Sequence, residues 1–162
     1  LYKEYLGDKA SELPASGLLF PLAIRKDSTD TKIVRTILAV DEDKKALIFA
    51  GDMPTGYLAQ LMRANFDRLI TGATEASQYA LKEHGTVQTK NSPILLLAVS
   101  CVGRRLLLGE RTEEETESTL SIFPEGTKQL GFYSYGEISP FASGTCDLHN
   151  QTMTLTSIRE EG

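Results

Sequence analysis

The chain has 162 residues, 41% hydrophobic and 24% charged, with two cysteines and no Trp. That is the length of one globular domain, able to hide roughly 70% of the surface its unfolded form exposes, and it excludes collagen-like, disordered and disulfide-scaffold classes. A balance of 17 basic against 22 acidic residues, net −5, argues against a general nucleic-acid binder, which carries a basic surplus on one face.

Residues 1–13 hold apolar side chains at 1, 2, 5, 6, 10 and 13, a loose helical spacing interrupted by Gly7 and ended by Pro14. Residues 17–24 are a strongly apolar run with Pro21 inside, which predicts an edge strand or a bulge. After the polar stretch 25–32, two β-rich runs, Ile33–Val40 and Lys45–Ala50, flank four polar residues, the pattern of a hairpin.

From Thr55 to about Glu83, apolar residues recur in steps of three and four through Leu58, Leu61, Met62, Phe66, Leu69 and Ile70. That stripe predicts one long amphipathic helix, capped by Thr55 and closed by His84-Gly85. Ile94–Cys101 reads as an all-apolar strand of a buried type, and Gly103-Arg104 lead into a helix through Leu108. The stretch 112–121 opens with Glu113, Glu114, Glu115 and Glu117, which suit a helix N-terminus. Thr112 with Glu115 reads as a capping box and the acidic run as a solvated face.

Residues 129–138 and 152–158 alternate. In the first, Leu130, Phe132 and Ile138 share one face and Tyr133, Tyr135 and Glu137 the other. The whole predicts an α+β domain spanning 1–162, a mostly antiparallel mixed sheet packed against one long helix and shorter helices.

No apolar run approaches the roughly 20 residues that span a bilayer, so no membrane partner is expected. Two cysteines make no disulfide framework, and a reducing, cytoplasmic setting is expected. No charged-then-apolar leader opens the chain, and a start at Leu1 rather than Met suggests an excised or processed piece.

The phosphate loop, GxGxxG, HExxH and CxxC are all absent. The densest set of directional groups is Tyr133, Tyr135 and Glu137, together with the stretch Cys146-Asp-Leu-His-Asn-Gln-Thr152. If the flanking strands pair, these groups form a polar small-molecule site. Equally, His149 and Asn150 satisfy loop backbone groups while the tyrosines pack. Cys146 and His149 have metal-ligand spacing, but a structural zinc needs four ligands. An axial haem ligand needs only one residue, so His149 suits haem better. Cys101 precedes a helix start and Arg104-Arg105, where a thiol is activated; the alternative is a small buried hydrophobe. Arg104 either holds an anionic ligand there or is an ordinary surface arginine.

Five blocks in order carry a resemblance: Leu-Pro-Ala-Ser-Gly-Leu-Leu-Phe-Pro-Leu (13–22), Ala-Gln-Leu-Met-Arg-Ala-Asn-Phe-Asp-Arg-Leu-Ile (59–70), Val-Ser-Cys-Val-Gly-Arg-Arg-Leu-Leu-Leu-Gly (99–109), Gly-Phe-Tyr-Ser-Tyr-Gly-Glu-Ile-Ser-Pro (131–140) and Cys-Asp-Leu-His-Asn-Gln-Thr-Met-Thr-Leu-Thr (146–156). They resemble the C-terminal part of the FIST sensory domain. The resemblance implies intracellular signal input through a small ligand such as an amino acid, with haem a second possibility. It marks Tyr135, Gly136, Glu137, Cys146, His149 and Asn150 as ligand positions. It also implies two partners, an N-terminal FIST half and a downstream signalling module, with residues 1–13 a linker or remnant of that half. Two rivals remain, a cysteine-dependent enzyme using Cys101 or Cys146 with His149 as base, and a protein-interaction scaffold.

Overall fold

The computed structural model describes residues 1–28, 31–82, 93–140 and 146–159. Helices and largely antiparallel strands are mixed along the chain, an α+β fold. The chain divides into two compact units, Leu1–Ala64 with Ile138–Gln151, and Asn65–Glu137 with Thr152–Gly162. His84, expected to close the long helix, lies outside the described residues.

The first unit opens with a short helix, α1 (Tyr2–Leu6), which stops at Gly7 because that residue takes a φ of 55° that a side chain disfavours. Two turns of 3-10 helix follow, over Gly7–Glu12 and Ala15–Leu18. Strand β1 (Leu22–Arg25) starts just after Pro21 and lies between β2 (Ile33–Arg35) and β5 (Leu58–Leu61). The expected edge strand is therefore a central one. Pro21 has no N–H to give, but its position before the strand leaves the ladder intact, and its carbonyl accepts from Met62 N at 2.9 Å. Ala23 and Ile24 are buried, as apolar residues of a central strand should be.

The hairpin is β3 (Ile37–Asp41) with β4 (Ala46–Phe49). Its four-residue turn is shaped by Asp41, whose Oδ1 accepts from Lys44 N at 2.9 Å. The expected first strand splits at Thr36, with β2 joining β1. Two short strands, β8 (Glu137–Pro140) and β9 (Cys146–His149), pair with each other.

In the second unit the amphipathic stripe becomes α2 (Phe66–Lys82), shorter than expected. Residues 58–61 are strand β5 instead, since a Leu-Ala-Gln-Leu run suits either period and pairing with β1 decides it. The true cap is Asn65, whose Oδ1 accepts from Arg68 N at 2.9 Å.

Strand β6 (Ile94–Cys101) is the centre of a three-stranded sheet, antiparallel to β10 (Met153–Arg159) and parallel to β7 (Lys128–Ser134). The parallel pair needs a crossover, supplied by α3 (Val102–Leu108) and α4 (Thr112–Leu120). One sheet face presents Leu96, Ala98 and Ser100, all buried, with α2 and α4 packed against that side. The opposite face carries Leu95, Leu130, Phe132 and Ile158, all exposed.

Candidate functional site

The register of β6 and β7 sets Ala98 beside Gly131. On the packed face of β7 the side chains run Gln129, Gly131, Tyr133, so a missing side chain sits between two large ones, opposite a small one. Against these residues lies a cavity of about 300 Å³, at the lower end of the range for small-molecule sites. Ala98, Ser100 and Met153 lie beneath it, Gln129 and Tyr133 stand at its sides, and α4 closes it with Glu115 and Thr116. A Cβ on Gly131 would come within 2.0 Å of the Ala98 carbonyl oxygen, so only glycine fits the β6–β7 approach there.

Behind the cavity is a buried ion pair. Arg104 Nε donates to Glu115 Oε1 at 2.6 Å, and Ser100 Oγ donates to Glu115 Oε2 at 3.0 Å. Arg104 Nη2 also donates to the Leu69 carbonyl at 2.6 Å, tying α2, α3 and α4 together. Glu115 is 0% exposed. It is thus neither part of a capping box nor on a solvated face: α4 turns it inward, and Thr112 Oγ1 donates back to the Gly109 carbonyl. Arg104 is correspondingly no surface arginine, being buried in this pair.

Tyr133 stands at the edge of this system. The Arg105 guanidinium lies 5.1 Å from its ring centroid, a cation–π contact. Burial, then the nearby Glu115 charge, pushes its phenol above the ordinary tyrosine value. Among the described residues none makes a hydrogen bond to that phenol.

The other sequence candidates are distributed between the units. Tyr135 and Gly136 lie between β7 and β8, outside either strand, with Tyr135 86% exposed. Glu137 is buried and accepts from Ser134 Oγ at 2.6 Å and Thr152 Oγ1 at 2.7 Å. Cys101 is buried at the start of α3. In the first unit, strand alternation turns exposed Cys146 and buried His149 to opposite faces of β9, so the imidazole is not aimed at that thiol. His149 Nε2 donates to the Ser139 carbonyl at 3.2 Å. Asn150 Oδ1 accepts from Thr36 N at 3.3 Å, and Gln151 Nε2 donates to the Leu18 carbonyl at 3.0 Å.

A haem would need an open face of the His149 imidazole against which to set its iron. The ring is 8% exposed, so the residues here do not fit that group. Among the described residues no three His, Cys, Asp or Glu side chains are grouped to hold a metal ion. No described helix is long and apolar enough to cross a membrane.

Sequence reasoning reached Tyr133 and Arg104 but missed Glu115, Ser100 and Gln129. No local signal singles out Glu115 among the glutamates of α4; the structure buries it with Thr119 on one stripe of the helix. In comparison with known proteins, the model of the FIST C domain family matches residues 1–140. No curated protein and no solved structure matches the chain.

Proposed function

Because the chain belongs to the FIST C domain family, we propose that it is a ligand-sensing module of a signalling protein and that its ligand site is the cavity over Gly131. The observation that carries this reading is a cavity of about 300 Å³ with an apolar floor, a phenol at one side and a buried charged pair behind it. Such a site takes a small polar metabolite, for example an amino acid, orienting it by a few hydrogen bonds on apolar walls. Arg104 is a positioning residue, since it holds Glu115 and not the ligand. Glu137, His149 and Asn150 hold groups of the protein itself.

The partners that accompany this reading are an N-terminal FIST half and a downstream signalling module, with neither nucleic acid nor membrane. An exposed apolar sheet face at Leu95, Leu130, Phe132 and Ile158 supports a protein partner, because a parallel pair is ordinarily covered on both sides. A cytoplasmic setting follows from the same signalling role.

The test is a metabolite panel read by thermal denaturation, on the wild type and on Thr116→Phe. Thr116 is exposed on α4 and lines the cavity, so a phenyl ring there blocks the mouth without disturbing the core. A true ligand stabilises the wild type by about 2.7 kcal/mol at a hundredfold excess over its Kd, and leaves the variant unmoved. A silent panel, or equal stabilisation of both proteins, overturns the assignment.

A further inference from the structure

The charges around the cavity define which end of a ligand it reads. Glu115 is the nearest carboxylate, but both its oxygens are engaged, one by Arg104 and one by Ser100. The paired guanidinium offsets most of its charge, and Glu115 has no surface left for an ammonium group. The other carboxylates of α4, Glu113, Glu114 and Glu117, are exposed and screened by solvent, and Glu114 is also paired with Arg111.

Outside that pair, the charged group that meets Tyr133 is a cation. Arg105, exposed on α3, makes no ion pair with a described residue, and its guanidinium lies over the Tyr133 ring. The contact occupies the ring face and leaves the in-plane O–H to act as a donor. That phenol stays protonated at neutral pH, because burial, then Glu115, outweigh the pull of Arg105 and Arg104 toward ionisation. A neutral donor therefore lines a cavity whose floor is apolar at Ala98 and Met153, and the Arg105 guanidinium, outside the lining, lies against the ring that carries it.

We propose that the cavity selects small organic acids, with the ligand carboxylate accepting from the Tyr133 phenol beside Arg105 and a short apolar body lying over Gly131 and Ala98. This rests on the sensing role above and names the chemical class of its ligand. Charge-assisted hydrogen bonds are the stronger kind, so the carboxylate dominates affinity, and an ammonium group on the same ligand adds little.

The experiment uses matched probes sharing an isobutyl or a benzyl tail: the amino acid, the amine lacking its carboxylate, and the acid lacking its amine. Binding is measured by titration calorimetry and by the aromatic NMR signals of Tyr133. Both carboxylate-bearing probes are expected to bind and the amine is not. Tyr133→Phe, which keeps the ring and removes the donor, is expected to weaken the acid at least about tenfold, and Arg105→Gln by a smaller factor. Amine binding equal to that of the acid overturns the selection while leaving a ligand site in place. A Thr116→Phe-sensitive ligand from the wider panel supports the selection if it carries a carboxylate and overturns it if it does not. Silence of the probes and the panel together overturns the ligand site itself.

Discussion

Each unit buries one arginine, and each neutralises it differently. Arg35 in the first unit is surrounded by carbonyls: Nε donates to Asp52 O at 2.9 Å, and Nη1 to Leu148 O at 2.8 Å and Val34 O at 3.2 Å. The carboxylate that pairs with it among the described residues, Asp147, is half exposed and 4.0 Å away. Arg104 in the second unit faces a fully buried carboxylate at 2.6 Å. The first arrangement spreads one charge over several dipoles of backbone that is already fixed, so it staples β2, β9 and the segment at Asp52. The second concentrates two full charges, and each depends on the other to be tolerable in a low-dielectric interior. A staple of the first kind fails gradually. A pair of the second kind fails abruptly, and it stands behind the cavity where a ligand is read.

The largest effect follows from that dependence. Glu115→Ala leaves Arg104 buried and uncompensated, and urea denaturation is expected to show a loss of about 3–5 kcal/mol. The double variant Arg104→Met with Glu115→Leu removes both charges and is expected to recover most of that loss. A double variant no more stable than Glu115→Ala would mean that shape, not charge, is what the pair supplies. Next comes Arg35→Met, which keeps much of the stem's volume and deletes the bonds to three carbonyls. Here the expected loss is about 1.5–3 kcal/mol, smaller because no opposite charge is stranded. Amide hydrogen exchange should locate it in β2 and β9, and a loss as large as that of Glu115→Ala would erase the distinction between the two arginines.

Much of this was legible in the sequence and some was not, for reasons that lie in particular residues. The β6 run, the hairpin around 41–44 and the crossover helices rest on local period and turn chemistry, and they are found where expected. Residues 58–62 fit a helix stripe as well as a strand, and only the partner β1 decides between them. Glu115 sits among three other glutamates of α4, and nothing local marks it as the one that turns inward. That choice depends on Arg104 and Ser100 arriving from α3 and β6, which is tertiary information. Tyr133 was legible as a candidate because alternation placed it on the polar face of β7. The cavity beside it was not, since it arises from Gly131 meeting Ala98 across a register no single strand specifies.

The smallest effect sharpens the same comparison through two tyrosines. Tyr2 in the first unit donates its phenol proton to the Phe20 carbonyl at 2.6 Å, and burial pushes its pKa up to about 12 from an ordinary 10.0. Tyr133 in the second unit is shifted the same way without an acceptor among the described residues. Since the unfolded chain releases the Tyr2 proton first, its contribution to stability is whole below pH 10 and fades as pH rises toward 12. Tyr2→Phe is expected to cost about 1 kcal/mol at neutral pH, the worth of one hydrogen bond, and to flatten part of the alkaline decline in stability. Tyr133→Phe deletes no internal bond, so it is expected to leave neutral-pH stability nearly unchanged while still removing its own share of the alkaline decline. Equal neutral-pH losses for the two variants would show that the Tyr133 phenol already serves the fold, and would leave it no donor to offer a ligand.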